Sequence, residues 1–391
     1  MAQDAAFSTL EQGTRAIALN AATLQQLDKL VASTKALRQA GYVVEKLTDH
    51  ELEKKRRCLT CRVRIGKTLG KQNRKRKLAE AQQPRAQSND PAASGNATRR
   101  GADSAGPKLH RCHFHPGKVI SKAWTCCGKH VSEDPCTSKE HHDVQDDGDG
   151  TIERRWQFHA TGSEARSSHR FAVAIDCEMG TAFNGDTELI RLSVIDYFSG
   201  ETLIDSLVYP DIAMQHFNTR WSGVTRADME RSLRENKCIM GRDAARRAVF
   251  RYVGPSTIVV GHGAQSDLSS LRWIHHRVVD SFTVESARRK AAELKAEQEK
   301  KRKEANEPKK GDKPKEADRP KKGDRPKEEV PGNKQKRGKN NPDGMSLKAL
   351  AMKHLGRAIQ VGKKGHDSLE DALAARDLVH AHITGLGNFT R

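Results

Sequence analysis

No stretch of this 391-residue chain holds eighteen consecutive apolar residues, so a membrane-spanning helix is not expected. The opening MAQDAAFSTLEQGTR places acids near the start and has no apolar core, which argues against a secretory leader. Aromatic residues make up only 5% and hydrophobic residues 35% of the chain, with a mean hydropathy of -0.78. Much of such a chain cannot bury enough apolar surface to order itself. Acid is also in deficit. Lys and Arg total 70 against 50 Asp and Glu, a formal net charge of +20. That surplus favours a polyanionic partner, with nucleic acid ahead of an anionic membrane surface.

What is present is unevenly distributed. Residues 1–57 read as a helical N-terminal region. Leu24, Leu27, Leu30, Val31 and Leu37 recur at spacings of three and four, Gly41 stops the helix, and a second short helix runs from about Asp49 to Arg57. Residues 67–108 are polar and basic and read as a disordered linker. From Arg170 the pattern becomes that of a folded domain. FAVAID and STIVVGH are buried strands, LIRLSVIDYF and ETLIDSLVYP form a hairpin around Ser199-Gly200, and VVDSFTVE is a further strand. Helices are expected over 225–253, SDLSSLRWIHH, MSLKALAMKHLG and HDSLEDALAARDLVHAHI. Residues 286–341 are dominated by Lys, Glu, Pro, Arg and Gly, and form a charged insertion that begins as a helical extension. The folded domain is therefore 170–285 plus 342–386. Its alternation of strands and helices predicts an α/β fold with a mixed central sheet.

Asp176 and Glu178 stand two apart at the end of a strand, which puts both carboxylates on one face. Paired carboxylates repel one another unless a cation lies between them, and hard divalent ions take oxygen ligands. Asp267 follows a buried strand near a helix start, and Asp371 lies in a helix that Asp367 or Ser368 would cap. His366, five residues before Asp371, can be carried by a loop over the same site. The segments AIDCEMG, VVGHGAQSDLSSL and GHDSLEDALAARDL, in that order, closely resemble the DEDDh exonucleases of the ribonuclease-H-like superfamily, and most closely the eukaryotic RNA exonucleases. NTRWSGVT and VVDS are similar to connecting segments of that family.

The resemblance implies a ribonuclease-H-like exonuclease fold that removes nucleoside 5′-monophosphates from a free RNA 3′ end. It also implies two Mg²⁺ or Mn²⁺ ions held by Asp176, Glu178, Asp267 and Asp371, with His366 as general base. A DNA 3′ exonuclease and an inactive zinc-dependent interaction protein are the alternatives. His262 is a competing base, with packing or orientation of the Asp267 turn as its expected role.

Six of the eight cysteines fall between Cys58 and Cys136. Cys58 and Cys61 form a C-x2-C pair, Cys112 and His115 share that spacing, and Cys126, Cys127, Cys136 and the pair His141-His142 follow. Eight ligands serve two tetrahedral Zn²⁺ sites, and a thiolate-rich set points to a structural role. The stretch CHFHPG…WTCCGKH…C…HH resembles the CHORD type of zinc module, in which each of two zincs takes three Cys and one His. Here Cys58 and Cys61 stand about fifty residues before the rest, far beyond an ordinary loop. The expected module spans 58–66 and 109–145, with His141 taken as the eighth ligand although the sequence does not choose between it and His142, and with a protein partner as its use. Cys177 and Cys238 are expected to be core thiols. The run Lys71, Arg74, Lys75, Arg76 and Lys77 suggests RNA-phosphate contact or a nuclear signal, hence a nuclear or nucleolar location.

Overall fold

The apolar run at 171–175 and the hairpin signal after it set the centre of the molecule. A computed structural model describes residues 16–64, 112–143, 150–306, 344–362 and 365–385. The expected linker, the basic run at Lys71–Lys77 and residues 307–343 of the insertion lie outside the described residues.

The main sheet is built from β1 (Ala172–Ala182), β2 (Thr187–Asp196), β3 (Thr202–Tyr209), β4 (Met214–His216), β5 (Ile239–Met240), β6 (Ile258–Gly261) and β7 (Val278–Asp280). The spatial order is β5-β3-β2-β1-β6-β7, with β4 also pairing β1. β2 runs antiparallel to both β1 and β3, while β6 is parallel to both β1 and β7 and β5 is parallel to β3. The sheet is mixed, and helices cover it: α1 (Ala21–Asp28), α2 (Gly241–Val249), α3 (Gln265–Ser270), α4 (Ser281–Asn306), α5 (Leu347–Leu355) and α6 (Ser368–Thr384).

Strand alternation divides β1 between two cores. Val173, Ile175 and Cys177 pack with Ala245 and Val249 of α2 and Leu268 of α3. Ala172 and Ala174 pack on the other face with Ala372 and Val379 of α6. Alanine at these positions is small enough for α6 to lie close to the strand. Asp176 and Glu178 continue the Ala172–Ala174 row, so the sequence parity aims them at the α6 layer.

Several sequence expectations differ from the structure; the helix expected over SDLSSLRWIHH, for one, is helical only through Ser270, and Trp273–Ile274 is a short strand. The single N-terminal helix divides into Ala21–Asp28 and Thr34–Gln39. Ser33 caps the second piece, and Ala32 donates its N–H to the Val278 carbonyl at 2.9 Å. Leu27 belongs to the α6-side core and Leu37 to the opposite one, so a straight helix could not satisfy both. The expected helix over 225–253 is two helices, Arg226–Arg234 and Gly241–Val249, separated by β5. VVDSFTVE is a strand only as far as Asp280, because Asp280 Oδ1 accepts from Phe282 N and starts α4. Cys238 is half-exposed instead of buried, since it precedes the short edge strand β5.

Leu27 is fully buried. Leu27→Ala is expected to lower stability by about 2–5 kcal/mol, read from urea denaturation; a loss below about 1 kcal/mol would show the N-terminal segment to be peripheral to the fold.

Candidate active site

Asp176 and Glu178 project from the middle of β1 rather than from a strand end as expected, because the strand continues past a register shift at Glu178/Met179 to Ala182, and across the ladder Asp176 faces Ser193 while Glu178 faces Arg191. Arg191 donates to Asp205 in two bonds of 3.1 Å and lies 3.2 Å from Asp367. Asp367 is the N-cap of α6, accepting from Leu369 N at 3.0 Å and Glu370 N at 3.4 Å. Ser193 Oγ is 2.7 Å from Ser368 Oγ. These bonds fasten the first turn of α6 to β2 and place Asp371 beside Glu178. Donor atoms of Glu178, Asp371 and His366 all lie within 4.8 Å of one another.

Asp267 arrives from the opposite layer. It lies in the first turn of α3 and its Oδ1 accepts from Cys177 N at 3.0 Å. Asp176 and Asp267 fall outside the compact trio, yet Asp176 feels the charges of Asp267, Asp371 and Glu178 together.

The electrostatics follow from this crowding. Burial, and then the neighbouring acids Asp267, Asp371 and Glu178, raise the Asp176 carboxyl well above its usual range. Glu178 is pushed up to about 8 by burial and by Asp371, against the pull of Arg191. Asp267 rises to about 7 through burial, opposed by the Cys177 N–H. Asp371 rises to about 7 through burial, opposed by Gln360. Four carboxyls that cannot all ionise unaided form an oxygen donor set suited to a divalent cation.

His366 is held by the chain rather than by a helix. Its N–H donates to the Trp221 carbonyl at 2.6 Å, and its ring meets the Trp221 ring edge-on at 6.3 Å. Its Nδ1 stands 3.7 Å from Asp371 Oδ2. Gly365 makes this approach feasible: its φ is +86°, and a Cβ there would collide with the Gly223 backbone. Burial and Lys348 lower the His366 pKa, which keeps the ring neutral and able to accept a proton near pH 7. His262 instead bonds Ser281 Oγ at 2.9 Å and packs on Phe282, at the start of α4.

Sequence reasoning missed two participants. Gln360 donates its amide to both Asp371 oxygens, at 3.2 and 2.9 Å, and its backbone N–H to Glu370 at 2.8 Å. Arg191 holds the α6 cap. Neither residue carries a local signal, because each acts through a partner from another element.

The cysteines and histidines form two groups. Cys58, Cys61, Cys112 and His142 make one, and His115, Cys126, Cys127 and Cys136 the other. His142, not His141, meets the first set, with its Nδ1 3.3 Å from Cys61 Sγ. The correction has a local cause. Asp143 accepts from Leu59 N at 2.8 Å and from Thr60 Oγ1 at 2.6 Å, which turns His142 inward and leaves His141 exposed. Cys58 and Cys112 sulfurs lie 3.6 Å apart, as do those of Cys126 and Cys136. Tetrahedral Zn–S bonds of about 2.3 Å would separate sulfurs by about 3.8 Å, so both groups could hold such an ion. His115 stacks on Trp124 at 4.4 Å. The first group is tied to the sheet through Arg57, whose Nε donates to Asp186 at 2.8 Å in the turn between β1 and β2.

No protein-family model matches the chain. It is similar to RNA exonuclease 3 of Candida albicans, 25% identical over 272 residues, covering 68% of this chain and 53% of that protein. RNA exonuclease 3 of Emericella nidulans is 27% identical over 305 residues, covering 68% and 40%. Human apoptosis-enhancing nuclease is 28% identical over 208 residues, covering 53% and 48%. The chain thus spans about half the length, or less, of these curated relatives. Among solved structures, the Pan2 catalytic unit of Neurospora crassa matches with a TM-score of 0.35 and 17% identity, covering 64% of this chain and 35% of that one.

The raised carboxyls give metal binding a pH sign. They hold protons in the metal-free fold at pH values where the unfolded chain, near pKa 4, has released them, so that fold loses stability as pH rises from about 4 to about 8. A divalent ion needs the charged forms. Mg²⁺ or Mn²⁺ should therefore raise Tm more at pH 8 than at pH 6, and Gln360→Ala should shift the metal midpoint upward. An equal shift at both pH values would count against a carboxylate site.

Proposed function

We propose that the protein is a divalent-metal-dependent 3′→5′ exonuclease acting on RNA. The observation that carries this reading is the meeting of Glu178, Asp371 and His366 within 4.8 Å, with the charges of Asp176 and Asp267 converging on them. The curated relatives' names support nuclease chemistry and the choice of RNA. The intact set of four carboxylates and one imidazole argues against an inactive interaction protein.

In this reading Asp176, Glu178, Asp267 and Asp371 would hold two Mg²⁺ or Mn²⁺ ions. When bound, the ions supply charge relief on the phosphate and on the leaving 3′ oxygen. The neutral His366 ring takes the proton of the attacking water. Arg191 and Gln360 keep Glu178 and Asp371 oriented while the site is charged. Bond cleavage at the terminal linkage would release a nucleoside 5′-monophosphate. The two cysteine–histidine groups would each hold a structural Zn²⁺, fixing the region around Arg57 against the sheet, and the basic run supports a nuclear location as a further proposal.

Labelled RNA and a matching DNA oligonucleotide, each with Mg²⁺ and with chelator, test the reading. RNA should shorten from its 3′ end only with the metal present. Asp176→Asn and Asp371→Asn should abolish turnover with the fold retained, and His366→Ala should lower it by about 10²–10⁴-fold. Full turnover in either Asn variant would overturn the mechanism, and preferential digestion of DNA would overturn the choice of substrate. For the cysteine groups, purified protein should contain close to two zinc atoms per chain (two four-ligand sets). Zinc-free folded protein would remove that assignment.

A further inference from the structure

The segment NTRWSGVT supplies none of the four carboxylates and not the imidazole, yet it holds the imidazole in place. It contains a one-turn helix, Thr219–Ser222, fastened from within. Asn218 Nδ2 donates to the carbonyl of Met179, the residue after Glu178, at 3.0 Å. Ser222 Oγ donates to the Phe217 carbonyl at 2.7 Å. Phe217 and Ser222 are buried, while Trp221 is turned outward and is 60% exposed. The other three tryptophans are covered: Trp156 and Trp273 are buried, and Trp124 stacks on His115. The Trp221 carbonyl accepts from His366 N at 2.6 Å. Its ring meets the His366 ring at an angle of 87° with the centres 6.3 Å apart. The Arg220 guanidinium stands 5.1 Å from the centre of the indole, a cation–π contact that steadies it. A lone exposed aromatic is ordinary on a protein surface. One fixed through both its main chain and its ring to the histidine beside Asp371 is placed by the site.

We propose that Trp221 stacks on the base of the 3′-terminal nucleotide, the one released as the monophosphate, and so steers its phosphate toward His366. The proposal rests on the exonuclease reading. In-line displacement puts the attacking water and the leaving 3′ oxygen on opposite sides of the phosphorus. His366 belongs on the water side, and Trp221 stands beside it. The upstream nucleoside is joined through its 3′ oxygen and therefore lies on the far side. The terminal nucleoside is joined through its 5′ oxygen, off the line of attack, and its base can turn onto the indole. Every base has a π-face, so a single aromatic platform of this kind holds the end of the strand without reading its sequence.

The test uses the full chain and two 5′-labelled RNAs that differ only at the last position, one ending in adenosine and the other in an abasic ribose. In Mg²⁺ the wild type should remove the abasic end with a kcat/KM about tenfold lower. Trp221→Ala should lose about tenfold on the adenosine end and little on the abasic end, so that the two converge. Trp221→Phe, which keeps a flat ring, should restore most of the difference. An equal loss on both ends in Trp221→Ala would show that the residue acts only through His366 and would overturn the proposal. Equal removal of the two ends by the wild type would also overturn it, with no variant needed. A second arm is independent of turnover. In Ca²⁺, adenosine 5′-monophosphate should quench the intrinsic tryptophan fluorescence of the wild type and ribose 5-phosphate should not. Quenching of the same size in Trp221→Phe would place the base elsewhere and sink the stacking. A wild type that is quenched by the nucleotide but removes neither end would strike the exonuclease reading and leave the stacking standing.

Discussion

Mutual repulsion among Asp176, Glu178, Asp267 and Asp371 is the constraint around which the rest of the domain is arranged. Burial and proximity raise the pKa of all four, and the fold resists that tendency at separate points. Arg191 stands across from Glu178, Gln360 holds Asp371, and the Cys177 N–H holds Asp267. Each donor favours the charged carboxylate, but together they supply too little positive charge to neutralise the set. A divalent ion is suited to offset the repulsion that remains.

The same constraint explains why helix α6 is anchored so firmly at its N-terminus. Asp371 can share a site with Glu178 only if the first turn of α6 lies directly over β1 and β2. The Asp367 cap, the Ser193–Ser368 contact and the Arg191 link all act on that turn. Small residues at 172 and 174 then let the rest of the helix settle on the strand. The loop before the helix pays for the approach of His366 with a glycine at positive φ. Stability and chemistry therefore depend on the same contacts near Asp367, whereas the N-terminal segment adds Leu27 and Leu37 to the two cores and the first cysteine group is tied to the turn between β1 and β2.

Charge is organised at two scales in this molecule. The acidic centre is compact and shielded, as hard-ion ligation requires. Positive charge is spread over the exposed side chains of the described residues, where water and salt screen it and where a polyanion can exchange for counterions.

By itself the sequence determined what local pattern can encode. Alternation fixed that Asp176 and Glu178 share a face, turn chemistry placed the hairpin at Gly200, and Asp367 was legible as a cap for the helix of Asp371. The motifs also suggested which acids would meet. Tertiary structure decided what depends on groups distant in the chain. His142 rather than His141 joins Cys58, because Asp143 is pinned by Leu59 and Thr60. Gln360 becomes a partner of Asp371 through a loop with no periodicity to read. The N-terminal helix breaks because Leu27 and Leu37 are drawn to opposite sides of one sheet. Backbone periodicity reports only which way a side chain points from its own element; what it meets there is set by packing between elements, and that information is not local.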